Sequence, residues 1–239
     1  MTVGLALWLC LVLPIAATVL IGLADRHPNV RETITLIAGV ALLANVVWLS
    51  GAVLDGAPGD LVIAPILPEI DLAFRVEPLG ILFGLVASGL WIVTSIFSIG
   101  YMRGSGERHQ TRFYMCFPVA IMAALGIAYS ANLVTLFVFY ELLTFSTYPL
   151  VAHKETEEAR LGARTYLAIL VFTSITFLLT AIVWTYVTVG HTDFEPGGIL
   201  WSSERHGLRT EGSNRWEKGV DGRWRFARVL MSPQGAAGE

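Results

Sequence analysis

Apolar residues in this chain come in blocks about as long as a bilayer crossing, separated by short polar connections. A helix needs roughly 20 residues to cross hydrocarbon. Six blocks meet that length and predict membrane-spanning helices. They run from about Val3 to Leu23, Thr33 to Leu54, Pro78 to Met102, Phe113 to Tyr129, Leu133 to Ala152 and Ala163 to Val189. Between the second and third blocks the pattern changes. Leu61–Ile66 and Ile70–Val76 are short β-leaning runs among Gly and Pro, and they predict a small hairpin outside the bilayer. Only Ser130 to Asn132 separates the fourth block from the fifth, which predicts a tight antiparallel pair. The expected fold class is thus all-α integral membrane, with about six transmembrane helices and an external hairpin between helices 2 and 3.

Composition agrees with this pattern: 54% of the residues are hydrophobic and 15% charged, where a soluble domain is about a quarter charged. Basic residues set the orientation, because short cytoplasmic loops are enriched in them. Arg26, Arg31, Arg103, Arg108, Arg112, Lys154, Arg160 and Arg164 fall in the loops on one side, and only Arg75 falls on the other. The N-terminus is therefore expected on the non-cytoplasmic side of a bacterial inner (plasma) membrane. Nothing basic precedes the first block and its apolar run is too long for a signal peptide, so it is expected to be retained. The segment 191–239 is polar and carries seven Lys or Arg from Trp201 onward. It is expected either to be disordered or to be non-native sequence following a truncation. The chain thus divides into 1–77 (two leading helices and the hairpin), 78–190 (helices 3–6) and 191–239.

Glu141 is the residue most out of keeping with its surroundings. It lies near the middle of NLVTLFVFYELLTFSTYPLVAHK. A charge at mid-bilayer costs several kcal/mol, so the carboxyl either keeps its proton or faces a polar partner or internal water. Both states suit a proton carrier; the alternative is a neutral Glu bonded to a neighbouring helix. Thr144 and Tyr148 follow at i+3 and i+7 on the same helical face; their hydroxyls are expected either to bond the helix backbone or to form a polar path toward the basic end. His153 and Lys154 follow at the interface. Histidine titrates near neutral pH, so this pair is expected either to pass protons from the cytoplasm or to act as a plain basic anchor. Thr173, Ser174, Thr176, Thr180 and Thr185 are expected to pack the sixth span against the fifth.

Cys10 and Cys116 sit inside apolar blocks, with neither a disulfide framework nor a metal-ligand spacing. His191, Asp193 and Glu195 are too closely spaced beside Pro196 and Gly197 to suggest a metal site. No flavin, nicotinamide or phosphate-loop fingerprint is present, so no cofactor and no redox site are expected. A net charge of −3 selects no nucleic acid.

The run NLVTLFVFYELLTFSTYPLVAHKETEEARLGARTYL resembles the segment around the span-five acid of the antiporter-like membrane subunits. These include the D-type member of Mrp cation/proton antiporters and related subunits of complex I (NADH-quinone oxidoreductase) and membrane-bound hydrogenases. YELLTFSTYPLVAHK most resembles the D-type Mrp branch, and FRVEPLGILFGLVASGLWIVTSIFSIGYM resembles the family's third span. The resemblance implies a fold of about fourteen helices in two inverted five-helix repeats. It also implies a span-five carboxylate, matched by Glu141, paired with a lysine in a later broken helix. That lysine has no counterpart, since the only lysines are Lys154 and Lys218. The expectation is the N-terminal portion of such a subunit, with an incomplete first repeat and no second. It would translocate protons, exchanged for sodium, potassium or neither, beside other membrane subunits in the lipid bilayer. The alternative is a non-transporting fragment or a structural membrane partner.

Overall fold

The computed structural model describes residues 2–56, 59–67, 70–195, 198–200, 214–218 and 224–228. Two helices, α1 (Val3–Leu23) and α2 (Pro28–Leu54), precede an antiparallel hairpin of β1 (Asp60–Leu67) and β2 (Ile70–Arg75). Then come α3 (Pro78–Gly104), α4 (Gln110–Ala128) and α5 (Leu133–Val151). The sixth span is one continuous rod with three parts: α6 (Glu157–Thr173), a π-helical stretch (Ser174–Leu179) and α7 (Thr180–Val189). Six helices are long and apolar enough to cross a membrane, as the blocks predict.

Local chemistry sets the ends. Pro28 and Pro78 open α2 and α3, where a missing N–H costs nothing. Asn132 caps α5 by accepting from the Thr135 N–H at 2.7 Å, and Thr156 caps α6 by accepting from Ala159 at 3.1 Å. The second span therefore starts at Pro28, not Thr33, because proline begins a helix more readily than it interrupts one. Arg31 and Glu32 thereby become helical.

α1 packs against α2 and α4, α2 against α3, and α4 against α5. Without a hydrophobic drive between helices in lipid, close approach depends on small residues. α3 buries Gly80, Gly84, Ser88, Ser95 and Ser98 on one face, with Trp91 among them. A β-carbon on Gly84 would lie 2.0 Å from the Tyr129 hydroxyl oxygen. Gly126 of α4 is the counterpart under the Phe139 ring of α5.

The hairpin is fastened to the start of α5. Asn132 Nδ2 donates to the Asp71 carbonyl (2.8 Å), the Ala73 N–H donates to Thr135 Oγ1 (3.1 Å), and Phe74 meets Phe139 edge-on at 5.3 Å. The segment after α7 joins the same knot: the Leu133 N–H donates to the Thr192 carbonyl, and the Phe194 N–H to Ala131. The sixth span is otherwise little covered: 11% of its apolar window is buried, against 39% for α1. Ser174 and Thr185 are buried as expected, but Thr176 and Thr180 face outward. The helix is too sparsely packed to turn every hydroxyl inward.

Two short strands form within 191–239. β3 (Asn214–Lys218) and β4 (Trp224–Arg228) pair antiparallel, with Trp216 opposite Phe226. Asp221–Gly222 between them is a strong short-range hairpin signal. The rest of that segment's sequence beyond residue 200 lies outside the described residues.

Candidate functional site

α5 carries Glu141 as the ninth of its 19 residues, close to the midpoint of the span. The side chain is half-buried, and its Oε1 is sealed from solvent with no hydrogen-bond partner among the described residues. A buried carboxyl oxygen without a donor is an unmet hydrogen-bonding group within the span. Thr144 is buried one turn further on, but its hydroxyl donates to the Tyr140 carbonyl at 3.0 Å. Thr147 likewise donates to Thr144. These hydroxyls are tied to their own helix, a common habit of Ser and Thr in apolar helices. Pro149 leaves α5 helical to Val151.

Beyond α5 the chain turns into a charged knot at the basic end. His153 stacks edge-on against Phe113 at 5.8 Å, and both ring nitrogens are buried with no hydrogen-bond partner among the described residues. Burial, and then the nearby Arg112 guanidinium, lower its pKa from the usual imidazole value. Glu155 takes a hydrogen bond from Arg112 Nη1 and lies 3.4 Å from His109 Nε2. The Arg112 bond holds the Glu155 carboxyl below its ordinary pKa. Arg112 also donates from Nη2 to the His153 carbonyl at 3.2 Å.

Both His109 and Glu155 have left-handed backbone, each at φ 54°. That conformation costs a residue with a β-carbon roughly 1–2 kcal/mol, and such strain clusters at functional places. Two clefts flank the pair. One, of about 490 Å³, is lined by His109, His153, Lys154, Glu155 and Arg160 among others. The other, of about 330 Å³, is lined by Arg112, Tyr148, Pro149, Glu155, Arg160 and Arg164 together with Ala152. Tyr148, His153 and Lys154 are thus brought together around Glu155, while Glu141 and Thr144 stand deeper along α5.

A second charged group at this end eludes sequence reasoning. Glu32 and Arg31 are 5% and 4% exposed. Arg103 Nε donates to Glu32 Oε1 at 3.0 Å. Arg31 donates to Thr111 Oγ1 and Gln110 Oε1, both at 2.8 Å, with its guanidinium 4.9 Å from the Tyr114 ring centre. The network joins the ends of α2, α3 and α4. Its one signal in the sequence is Pro28, which extends α2 back over both charges. At the opposite end, His191 Nε2 lies 3.5 Å from Glu195 Oε1. No group of three metal-ligating side chains forms among the described residues.

Residues 130–200 match the family described as NADH:quinone oxidoreductase/Mrp antiporter, TM. Residues 68–114 match NADH-Ubiquinone oxidoreductase (complex I), chain 5 N-terminus. The first match contains Glu141, His153 and Glu155; the second contains Arg103, His109 and Arg112. Na(+)/H(+) antiporter subunit A1 of Staphylococcus aureus (strain bovine RF122 / ET3-1) is 33% identical over 116 residues, 47% of this chain and 14% of that protein. Putative antiporter subunit mnhA2 of Staphylococcus haemolyticus (strain JCSC1435) is 30% identical over 129 residues, 53% of this chain and 16% of that protein. The matched region is therefore a small part of these relatives' length. In fold, the chain is similar to a chain of the membrane-bound sulfane sulfur reductase, an archaeal respiratory membrane complex. That match has a TM-score of 0.65 and 19% identity, over 78% of this chain and 38% of the other. It is also similar to a chain of the Mrp complex from Dietzia sp. DQ12-45-1b, with a TM-score of 0.59 and 22% identity over 81% of this chain and 20% of the other.

Proposed function

We propose that this chain, which belongs to the antiporter-like family of Mrp and NADH:quinone oxidoreductase membrane subunits, moves protons through Glu141 as part of a multi-subunit membrane assembly. The observation that carries this reading is the sealed, unpartnered Glu141 oxygen at the middle of a span. Held in hydrocarbon, that carboxyl is uncharged when protonated and strongly polarising when not. Each proton gained or lost therefore changes the field felt by neighbouring groups. The two Staphylococcus relatives are A-type antiporter subunits, whereas the run YELLTFSTYPLVAHK favours the D-type branch. Sodium as the exchanged ion and sister subunits as partners are in keeping with those relatives and belong to the same proposal.

Dicyclohexylcarbodiimide tests the carrier. This apolar reagent enters hydrocarbon and adds to protonated carboxyls. In membranes containing the chain, the adduct should form on the peptide bearing Glu141, and proton movement should stop in step with labelling. Labelling elsewhere, with Glu141 unmodified and activity lost, would remove the assignment. Orientation is tested separately: a reporter in loop 102–112 should score cytoplasmic and one in 55–76 external, and the reverse pattern would overturn it.

A further inference from the structure

The charged knot at the basic end has features that a plain membrane anchor does not require. His109 and Glu155 come from different connections, both adopt left-handed backbone, and they face one another at 3.4 Å. Glu155 is also the carboxylate shared by the two clefts, one leading to His153 and the other to Tyr148. His109 is well exposed, whereas both nitrogens of His153 are enclosed. An exposed imidazole thus faces a carboxylate on the rim of a cleft that an enclosed imidazole also lines.

We infer that His109 and Glu155 form the proton intake of the basic end, collecting a proton from water and passing it to His153. This inference rests on the reading of Glu141 as the carrier. The proton binds His109 Nε2 or is held there by the facing carboxylate. It then crosses the cleft to a His153 ring nitrogen, and His109 returns to the neutral form. Glu155 is a positioning residue: the Arg112 hydrogen bond lowers its pKa and holds it facing His109, on the cleft that His153 also lines. The other charged or titratable groups facing this space are Glu107 and Arg108 from the third connection, Lys154 after α5, and Arg160 and Arg164 of α6. Arg112 of α4 and Tyr148 of α5 complete the set. Burial first, then Arg112 and His109, disfavour a resident charge on His153, while Glu107 and Glu155 favour it. His153 is therefore a transient holder of the proton, not a trap.

The test uses membranes from cells in which the substituted full-length chain replaces the original, with proton movement followed against the pH on the basic side. At low pH protons are abundant and a collecting group is dispensable; at high pH it limits the rate. Glu155→Gln should lower the rate by about tenfold at pH ~8.5 and by less than about twofold at pH ~6, with added imidazole restoring part of the alkaline rate. His109→Asn should behave alike. Asparagine tolerates left-handed backbone, so this variant keeps the loop even where Glu155→Gln disturbs it. An equal loss at both pH values without rescue by imidazole, or no loss at either, would overturn the intake. Glu141→Gln separates the two claims. If it is inactive while the loop variants are unaffected, only the intake fails. If it is active, the carrier reading fails whatever the loop variants do.

Discussion

Glu141→Gln is expected to abolish proton-linked transport, by at least ~100-fold on the scale of a lost acid–base group, with the amount of inserted protein unchanged. Glutamine keeps the shape of the side chain and its capacity for hydrogen bonds, but it cannot give up a proton in this range. The protein should not unfold for want of the acid, because no described partner depends on the sealed oxygen. Removing an ionisable group from mid-span also lightens the cost of insertion. Transport and quantity of protein are therefore measured on the same membranes. Glu141→Asp, shorter by one methylene, should retain part of the rate. Wild-type transport in Glu141→Gln membranes would remove the residue from the mechanism.

Gly126→Ala is expected to have the largest effect on folding. The added carbon would lie 2.1 Å from Phe139 Cδ1 and 2.5 Å from its Cγ. The ring has little room to retreat, since it is 7% exposed and its other neighbour is Phe74 at 5.3 Å. Overpacking a filled site costs about 1–3 kcal/mol, enough to lower the yield of folded protein and the temperature at which it aggregates in detergent. Adding Phe139→Leu to Gly126→Ala should recover part of the loss. A Gly126→Ala protein as stable as the parent would show that α4 and α5 do not meet in this way.

The six spans are legible in the sequence because the bilayer enforces their length, and the first hairpin because short β-leaning runs stand among Gly and Pro. Their ends shift where a local rule decides: Pro28 lengthens α2, and Gln110 starts α4 ahead of Phe113. Glu141 stands out by composition alone, as an acid in an apolar run. The partners at the basic end are not legible. Nothing in the spelling of His109 or Glu155 announces left-handed backbone or brings two distant loops together. The burial of Glu32 depends on Arg103, one helix away. The π-helical stretch at Ser174–Leu179 carries no spacing signal either, since one added residue in a turn leaves the apolar run unbroken. Sequence leaves the Thr144 hydroxyl open between a polar path and a backbone bond, and it donates to the Tyr140 carbonyl.

The knot that joins Asp71, Ala73, Thr192 and Phe194 to the first residues of α5 makes that end of the helix a pivot. Beyond the far end, Arg112 of α4 bonds the Glu155 carboxylate and the His153 carbonyl in the connection after α5. A rod pinned at one end multiplies small rotations. At 1.5 Å per residue, a tilt of about 5° would carry Glu141 by ~1 Å and Val151 by more than twice that. The acid would then ride on a lever whose handle lies in the aqueous rim, and a rearrangement of charges there would register in the hydrocarbon as a change of angle.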